Sequence, residues 1–128
     1  MSAPVFLGVD LGTTRTKVGL ITPSGDAPGL GRAANAIDVD PRRGHAVQDV
    51  DAWWAGLRNA IAEAIAVATT ETGASPRIDA ISVAGHGPTF VAVDARGHAV
   101  YPAVTWLDSR STAERDEDRK STRLNSSH

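Results

Sequence analysis

The period of the apolar positions changes several times along the chain. Val5 to Gly12 (VFLGVDLG) is nearly continuous in apolar and β-branched residues, which predicts a buried strand. Thr16 to Thr22 (TKVGLIT) alternates instead, with Val18, Leu20 and Thr22 on one face. The residues between these runs allow only a tight connection, so the two strands are expected to pair antiparallel. PSGD, Pro23 to Asp26, reads as a turn in which Pro presets φ and Gly25 supplies a positive φ. A third strand is expected within Gly29 to Asp38, followed by a polar loop, DPRRGHAVQ.

The period then becomes helical. Val50, Trp53, Trp54, Leu57, Ile61, Ala64, Ile65 and Ala68 form one apolar stripe. Asp49 is placed to accept the first free N–H groups, and Asp51 suits the positive end of the helix dipole. Gly73 and Pro76 mark the stop. At this spacing the two tryptophans read as core packing in preference to a ligand platform. Ile78 to Gly85 (IDAISVAG) predicts a strand covered on both faces. After the interruption at His86–Gly87–Pro88, TFVAVD, ARGH and AVYPAVTW read as a hairpin turning at Gly97. Asp108 or Ser109 is positioned to cap a short helix. The order is three β elements, a long helix, a strand, a hairpin and the start of a helix. It predicts an α/β layer in which an antiparallel meander is followed by a crossover helix, unlike the βαβαβ opening of dinucleotide-binding domains.

Composition narrows the classes. The chain has 128 residues, enough for one domain, with 41% hydrophobic and 22% charged residues and a net charge of -2. No basic stripe is present, so nucleic acid is not the expected partner. No apolar run approaches the roughly 20 residues of a membrane span, and MSAPVFLGVD lacks the basic and apolar regions of a signal peptide. The absence of cysteine removes thiol catalysis and cysteine metal sites and fits a cytoplasmic protein. The four histidines are scattered, without the i, i+4 spacing of a helical zinc site. DRKSTRLNSSH, at the end, has a single apolar residue, Leu124, and no periodicity. Residues 1–117 are therefore expected to form part of one domain. Residues 118–128 are expected to be a disordered or non-native tail, which resembles a translated adapter peptide.

The chemistry concentrates in GVDLGTTRTK, residues 8–17. An acid at a strand end is followed by glycine, two hydroxyl residues and two cations. A tight turn of this composition points backbone N–H groups outward, and with the Thr13 and Thr14 hydroxyls these could hold phosphate oxygens. Asp10 could hold Mg²⁺, which takes one or two carboxylates together with substrate phosphates. Lys17 or Arg15 could add positive charge or could face solvent. Neither the GxxxxGK(S/T) nor the GxGxxG spacing is present.

Strand, phosphate-type turn, strand, turn and third strand together resemble the phosphate-binding hairpin of the actin/hexokinase/heat-shock-chaperone nucleotide-binding superfamily. Within it, FLGVDLGTTRTKVGLI, AVQDVDAWWAGLRNAI and IDAISVAGHGPTFVAVDARGHAVYPAVTWLDSR resemble the FGGY carbohydrate kinases, their xylulokinase-like members above all. The likeness runs from Val5 to about Glu114. It implies a ribonuclease H-like (actin-like ATPase) α/β fold with a mixed sheet, present here as an incomplete domain. It implies the amino-terminal part of an ATP-dependent kinase for a sugar or polyol hydroxyl. Asp10 would lie near Mg²⁺ and the transferred phosphoryl group, and Gly12, Thr13, Thr14 and Lys17 near the ATP phosphates. His86, Gly87, Pro88 and Thr89 fall where the family places polar sugar contacts. Trp106 and Asp108 fall in a W-x-D-x-R block bordering the sugar, with Arg110 supporting it. Xylulokinases typically carry Gln-Met-His-Gly in the first of these segments and glycerol kinases Gln-Arg-Glu-Thr. His-Gly-Pro-Thr departs from both, so the sugar does not carry over.

Ordinary roles stand beside these: a loop histidine at 86, a packed indole at 106, a helix cap at Asp108, a surface ion-pair partner at Arg110. The family's catalytic base and second phosphate loop belong to a carboxy-terminal lobe beyond this sequence. The fragment is therefore expected to be inactive alone, and a full-length protein leaves room for a homodimer. The alternative is an actin- or chaperone-like ATP switch, or a non-catalytic remnant.

Overall fold

A computed structural model describes the backbone of residues 4–125 and the side chains of residues 4–121. The elements are β1 (Pro4–Leu11), β2 (Arg15–Ile21), β3 (Gly29–Ala34), β4 (Asp38–Asp40), β5 (His45–Gln48), α1 (Val50–Thr72), β6 (Arg77–Gly85), β7 (Ala103–Val104) and α2 (Thr112–Asn125). They form a four-stranded sheet ordered β3-β2-β1-β6 and a three-stranded sheet ordered β4-β5-β7. β1 pairs antiparallel with β2, placing Asp10 opposite Lys17 and Leu11 opposite Thr16. β2 pairs antiparallel with β3, and β6 returns parallel to β1 after the α1 crossover.

Alternation along the strands sends Val5, Leu7, Val9, Val18 and Leu20 to one face, where they meet Ala60, Ala64 and Ala68 of α1. Leu57, Ile61 and Ile65 pack at the margin of this core. The contact between α1 and β3 is unusually close. A methyl group at Gly31 would overlap the Ala60 carbonyl oxygen, and one at Gly29 the Ala64 carbonyl oxygen. Glycine on the strand and alanine on the helix let the two backbones touch. The helix ends follow the expected chemistry: Asp49 accepts from the Asp51 N–H, and Gly73 takes φ 76° and donates its N–H to Thr69 O.

Several expectations need correction. The segment read as a polar loop, 40–48, contains β5 and the turn of the β4–β5 hairpin, in which Gly44 takes φ 70°. The third strand stops at Ala34. Trp54 is 63% exposed, because the buried contact runs along the Ala60–Ala64–Ala68 line and not through the bulkier residues. β6 was expected to be covered on both faces. It is instead the edge of its sheet, with Ile81 and Val83 exposed, because among the described residues only β1 pairs with it and α1 lies over β1–β3. The predicted hairpin closes at Gly97, where Asp94 accepts from the Gly97 N–H (3.0 Å) and donates to His98 O (2.9 Å). Its legs join only through bridges at Phe90–Val104 and Val93–Ala99, since Ala103–Val104 pairs with β5. α2 spans Thr112–Asn125, and its residues 112–121 are exposed. Residues 1–3 and 126–128, the outer parts of the two expected segments, lie outside the described residues.

Gly31→Ala is expected to cost about 3 kcal/mol, because the clash is with backbone that no rotamer relieves. At Gly8 an added methyl meets nothing closer than 3.8 Å, so Gly8→Ala should stay within about 1 kcal/mol. Urea unfolding followed by circular dichroism separates the two. Equal midpoints would mean that the β3–α1 contact has room to spare.

Candidate functional site

The β1–β2 turn is tied down from below. The Gly12 N–H donates to Arg15 O (2.9 Å), and a Cβ at Gly12 would lie 2.8 Å from that oxygen, so a larger residue would force the turn open. Asn35 donates its side-chain amide to Gly12 O (2.7 Å) and its backbone N–H to Thr14 O (2.9 Å), and accepts from the Thr16 hydroxyl (3.1 Å). Gln48 donates to Thr13 O (2.8 Å) and Ala36 O (3.1 Å). The carbonyls of residues 12, 13 and 14 are thus all drawn into the protein. Within the described residues, the Thr13 and Thr14 N–H groups donate to no protein acceptor. Inward carbonyls and free N–H groups at a turn make an anion-receiving concavity. Asp10 is exposed beside it, 3.4 Å from the Lys17 ammonium, an ion pair too open to contribute much stability. The described residues hold no group of three or more metal-ligating side chains, so any cation at Asp10 would draw its other ligands from elsewhere.

The segment after β6 meets the same turn. Leu11 O accepts from both the His86 N–H (2.9 Å) and His86 Nδ1 (3.0 Å). A carbonyl only accepts, so the Nδ1 that faces it carries a proton. His86 Nε2 is buried without a protein partner, as are Trp53 Nε1 and Thr89 Oγ1. The His86 and Trp53 rings stand edge to face, with centroids 5.5 Å apart. Buried polar atoms left unpaired are costly, and they favour a site that takes a polar guest. Gly87 and Pro88 form the exposed bend between His86 and Thr89.

Thr89, Trp106, Asp108 and Arg110 line an open cavity of about 480 Å³. Trp106 lies over the turn and donates its indole N–H to Thr13 Oγ1 (3.0 Å). Asp108, 3% exposed, accepts from Arg110 Nη2 (2.7 Å), from Arg110 Nε and from the Ala46 N–H (2.8 Å). Arg110 also donates to Tyr101 Oη (3.0 Å) and lies over its ring. The Arg110 guanidinium holds the Asp108 carboxyl well below the usual carboxylate range, with backbone N–H groups adding to the effect against the penalty of burial. Asp108 in turn raises Arg110 above its ordinary value, with Tyr101 assisting. Asp108 thus clamps the segment after β7 to β5, and its oxygens do not cap α2. A larger cavity of about 640 Å³ beyond Gln48 holds none of the residues expected from the sequence.

The structure brings Asp10, Gly12, Thr13, Thr14, Lys17, His86 and Trp106 to one end of the main sheet. Asn35, Gln48 and Trp53 are the additions. The first two are buried polar residues whose partners are backbone carbonyls distant in sequence, a kind of role that carries no local spacing signature.

The chain belongs to the FGGY family of carbohydrate kinases, whose N-terminal domain matches residues 5–127. It is 32% identical over 116 residues to a xylulose kinase of Streptomyces coelicolor, covering 84% of this chain and 21% of that one. The crystal structure of xylulose kinase from Rhodospirillum rubrum superposes with TM-score 0.79 at 26% identity, over 91% of this chain and 23% of the other. Plasmodium falciparum glycerol kinase, solved with ADP, reaches TM-score 0.79 at 23% identity and shares the fold. The fold is therefore the ribonuclease H-like, actin-like ATPase fold of these kinases, and the chain spans about a fifth to a quarter of such relatives. Carbohydrate kinases of this family use ATP. No helix among the described residues is long and apolar enough to cross a membrane.

The state of Asp108 makes the clamp acid-sensitive. Its folded-state pKa is depressed, so its stabilisation is complete above the unfolded carboxyl value of about 4 and is lost as pH falls further. The thermal midpoint should drop between roughly pH 4 and pH 2. Asp108→Asn should cost about 2 kcal/mol at neutral pH and flatten that acid dependence. A variant with the parent's acid slope would assign the slope to other carboxylates.

Proposed function

We propose that this chain is the phosphate-side wall of an ATP-dependent carbohydrate kinase, which transfers the γ-phosphoryl group to a sugar or polyol hydroxyl. The observation that carries the reading is the β1–β2 turn: inward carbonyls, free N–H groups at Thr13 and Thr14, and an open cavity joined to it through Trp106. In this reading Gly12, Thr13 and Thr14 receive phosphate oxygens, and Lys17 adds positive charge. Asp10 holds Mg²⁺, directly or through water, and the ion neutralises charge developing on the phosphates. His86, Gly87, Pro88, Thr89, Trp106, Asp108 and Arg110 form the sugar side, Asp108 and Arg110 by fixing the segment that carries Trp106. The xylulose kinases among the relatives make a pentulose the first acceptor to test. The base for the acceptor hydroxyl and the rest of the nucleotide pocket come from a carboxy-terminal lobe. The working protein is cytoplasmic, and a homodimer fits it.

The test is a chimaera in which this chain replaces the matching segment of the Rhodospirillum rubrum xylulose kinase. ATP-dependent phosphorylation of xylulose or a related polyol is expected. Asp10→Asn in that chimaera should lower kcat about 100-fold or more, with the sugar KM changed less than about threefold. A folded chimaera without turnover on any sugar or polyol overturns the reading, and an unchanged kcat removes Asp10 from it. The 128-residue chain alone should release no ADP from ATP. Sugar-dependent release would show that one wall suffices.

A further inference from the structure

We propose that Trp106 is a positioning residue for the phosphate turn, acting through the Thr13 hydroxyl, so that the sugar-side wall sets the polarity of a phosphate-side donor. The proposal rests on the reading of the Gly12–Thr14 turn as a phosphate site. Its observation is one hydrogen bond, from the Trp106 indole N–H to Thr13 Oγ1 at 3.0 Å, across 93 positions of sequence. An indole N–H only donates, whereas a hydroxyl has one proton and two lone pairs. With Trp106 as donor, Oγ1 must accept, and the Thr13 proton is left to point elsewhere. The backbone of Thr13 is held by Gln48 through its carbonyl, which fixes the position from which the hydroxyl reaches Trp106. Its remaining donor is therefore available to an anion at the turn, beside the free N–H groups of Thr13 and Thr14.

The other end of the indole makes this a coupling. Trp106 lines the cavity that also holds Thr89, Asp108 and Arg110, and it is 53% exposed, so a guest there touches the ring that orients Thr13. The mount is firm. Thr105 donates its hydroxyl to Ala46 O (2.9 Å), and Asp108 ties the following residues to the Ala46 N–H. The anchors two residues beyond the indole and immediately before it both end on β5, the strand that supplies Gln48. A single strand thus fixes the carbonyl of Thr13 through Gln48 and its hydroxyl through Trp106.

The test needs neither sugar nor a second lobe. The chain has three tryptophans, so a ¹⁵N spectrum carries three indole N–H signals, assignable by Phe substitution. Thr13→Val should shift the Trp106 signal and speed its exchange with solvent, whereas Thr13→Ser should leave both near the parent. Inorganic pyrophosphate should move the Trp106 signal saturably. Trp106→Phe, which keeps an aromatic ring but loses the indole N–H, should weaken pyrophosphate about fivefold. Thr13→Val should weaken it by a similar factor, and the double variant no more than either single one. Trp54→Phe, at an exposed indole, should change nothing. The proposal is overturned if Thr13→Val leaves the Trp106 signal in place, if pyrophosphate does not move it, or if Trp106→Phe binds pyrophosphate as the parent does. Should Thr13→Val fail to fold, the pyrophosphate affinity of Trp106→Phe decides alone. A chain that passes while the kinase chimaera fails keeps the coupling and loses the sugar-kinase reading. The converse result keeps the kinase and loses the coupling.

Discussion

Everything at the site depends on how closely α1 can lie on β3. Gly29 and Gly31 offer no side chains, Ala60 and Ala64 offer only methyls, and the helix backbone comes down onto the strand. That depth lets Val18 and Leu20 of β2 and Leu7 and Val9 of β1 close over the same helix face. It also sets where the segment between β3 and β4 runs, and so where Asn35 and Ala36 sit beneath the β1–β2 turn. Asn35 follows directly on β3, whose ladder with β2 ends at Arg15↔Ala34, so the strand packed against the helix is also the one that delivers Asn35 to the turn.

The main sheet was legible in the sequence because its signals are local. Alternation in TKVGLIT, a glycine turn after Pro23 and the Asp49 and Gly73 helix ends each depend on neighbours within a few residues. What escaped depends on partners far along the chain. The β4–β5 hairpin hides in polar residues because its strands are short, and β5 is also paired on its other side by β7. β6 has the composition of a covered strand, and that composition reports the surroundings for which the strand is suited. Here it forms an edge with Ile81 and Val83 in solvent, as fits a chain about a fifth to a quarter the length of its relatives.

The site divides in the same way. Asp10, Gly12, Thr13 and Thr14 stand out as residue types at a strand end, and family resemblance drew attention to His86, Trp106, Asp108 and Arg110. Neither route gave a role to Asn35 or to Gln48, although Gln48 lies in the AVQDVDAWWAGLRNAI segment that carried the resemblance; both shape the turn through its carbonyls. Asp108 shows the limit from the other side. A carboxylate in a W-x-D-x-R block reads as chemistry, yet its oxygens are committed to Ala46 and Arg110. Its contribution is to hold a strand end and the indole two residues before it.

Leu11 O receives two hydrogen bonds from His86, one from the backbone and one from the ring. The first is indifferent to the identity of the side chain, and any residue except proline can supply it. The loop that begins at position 86 is therefore registered on the β1–β2 turn by its main chain, whatever side chain stands there. A lineage can exchange the group that it offers to a guest without disturbing the machinery a few ångströms away. The same fold is shared by a xylulose kinase and a glycerol kinase.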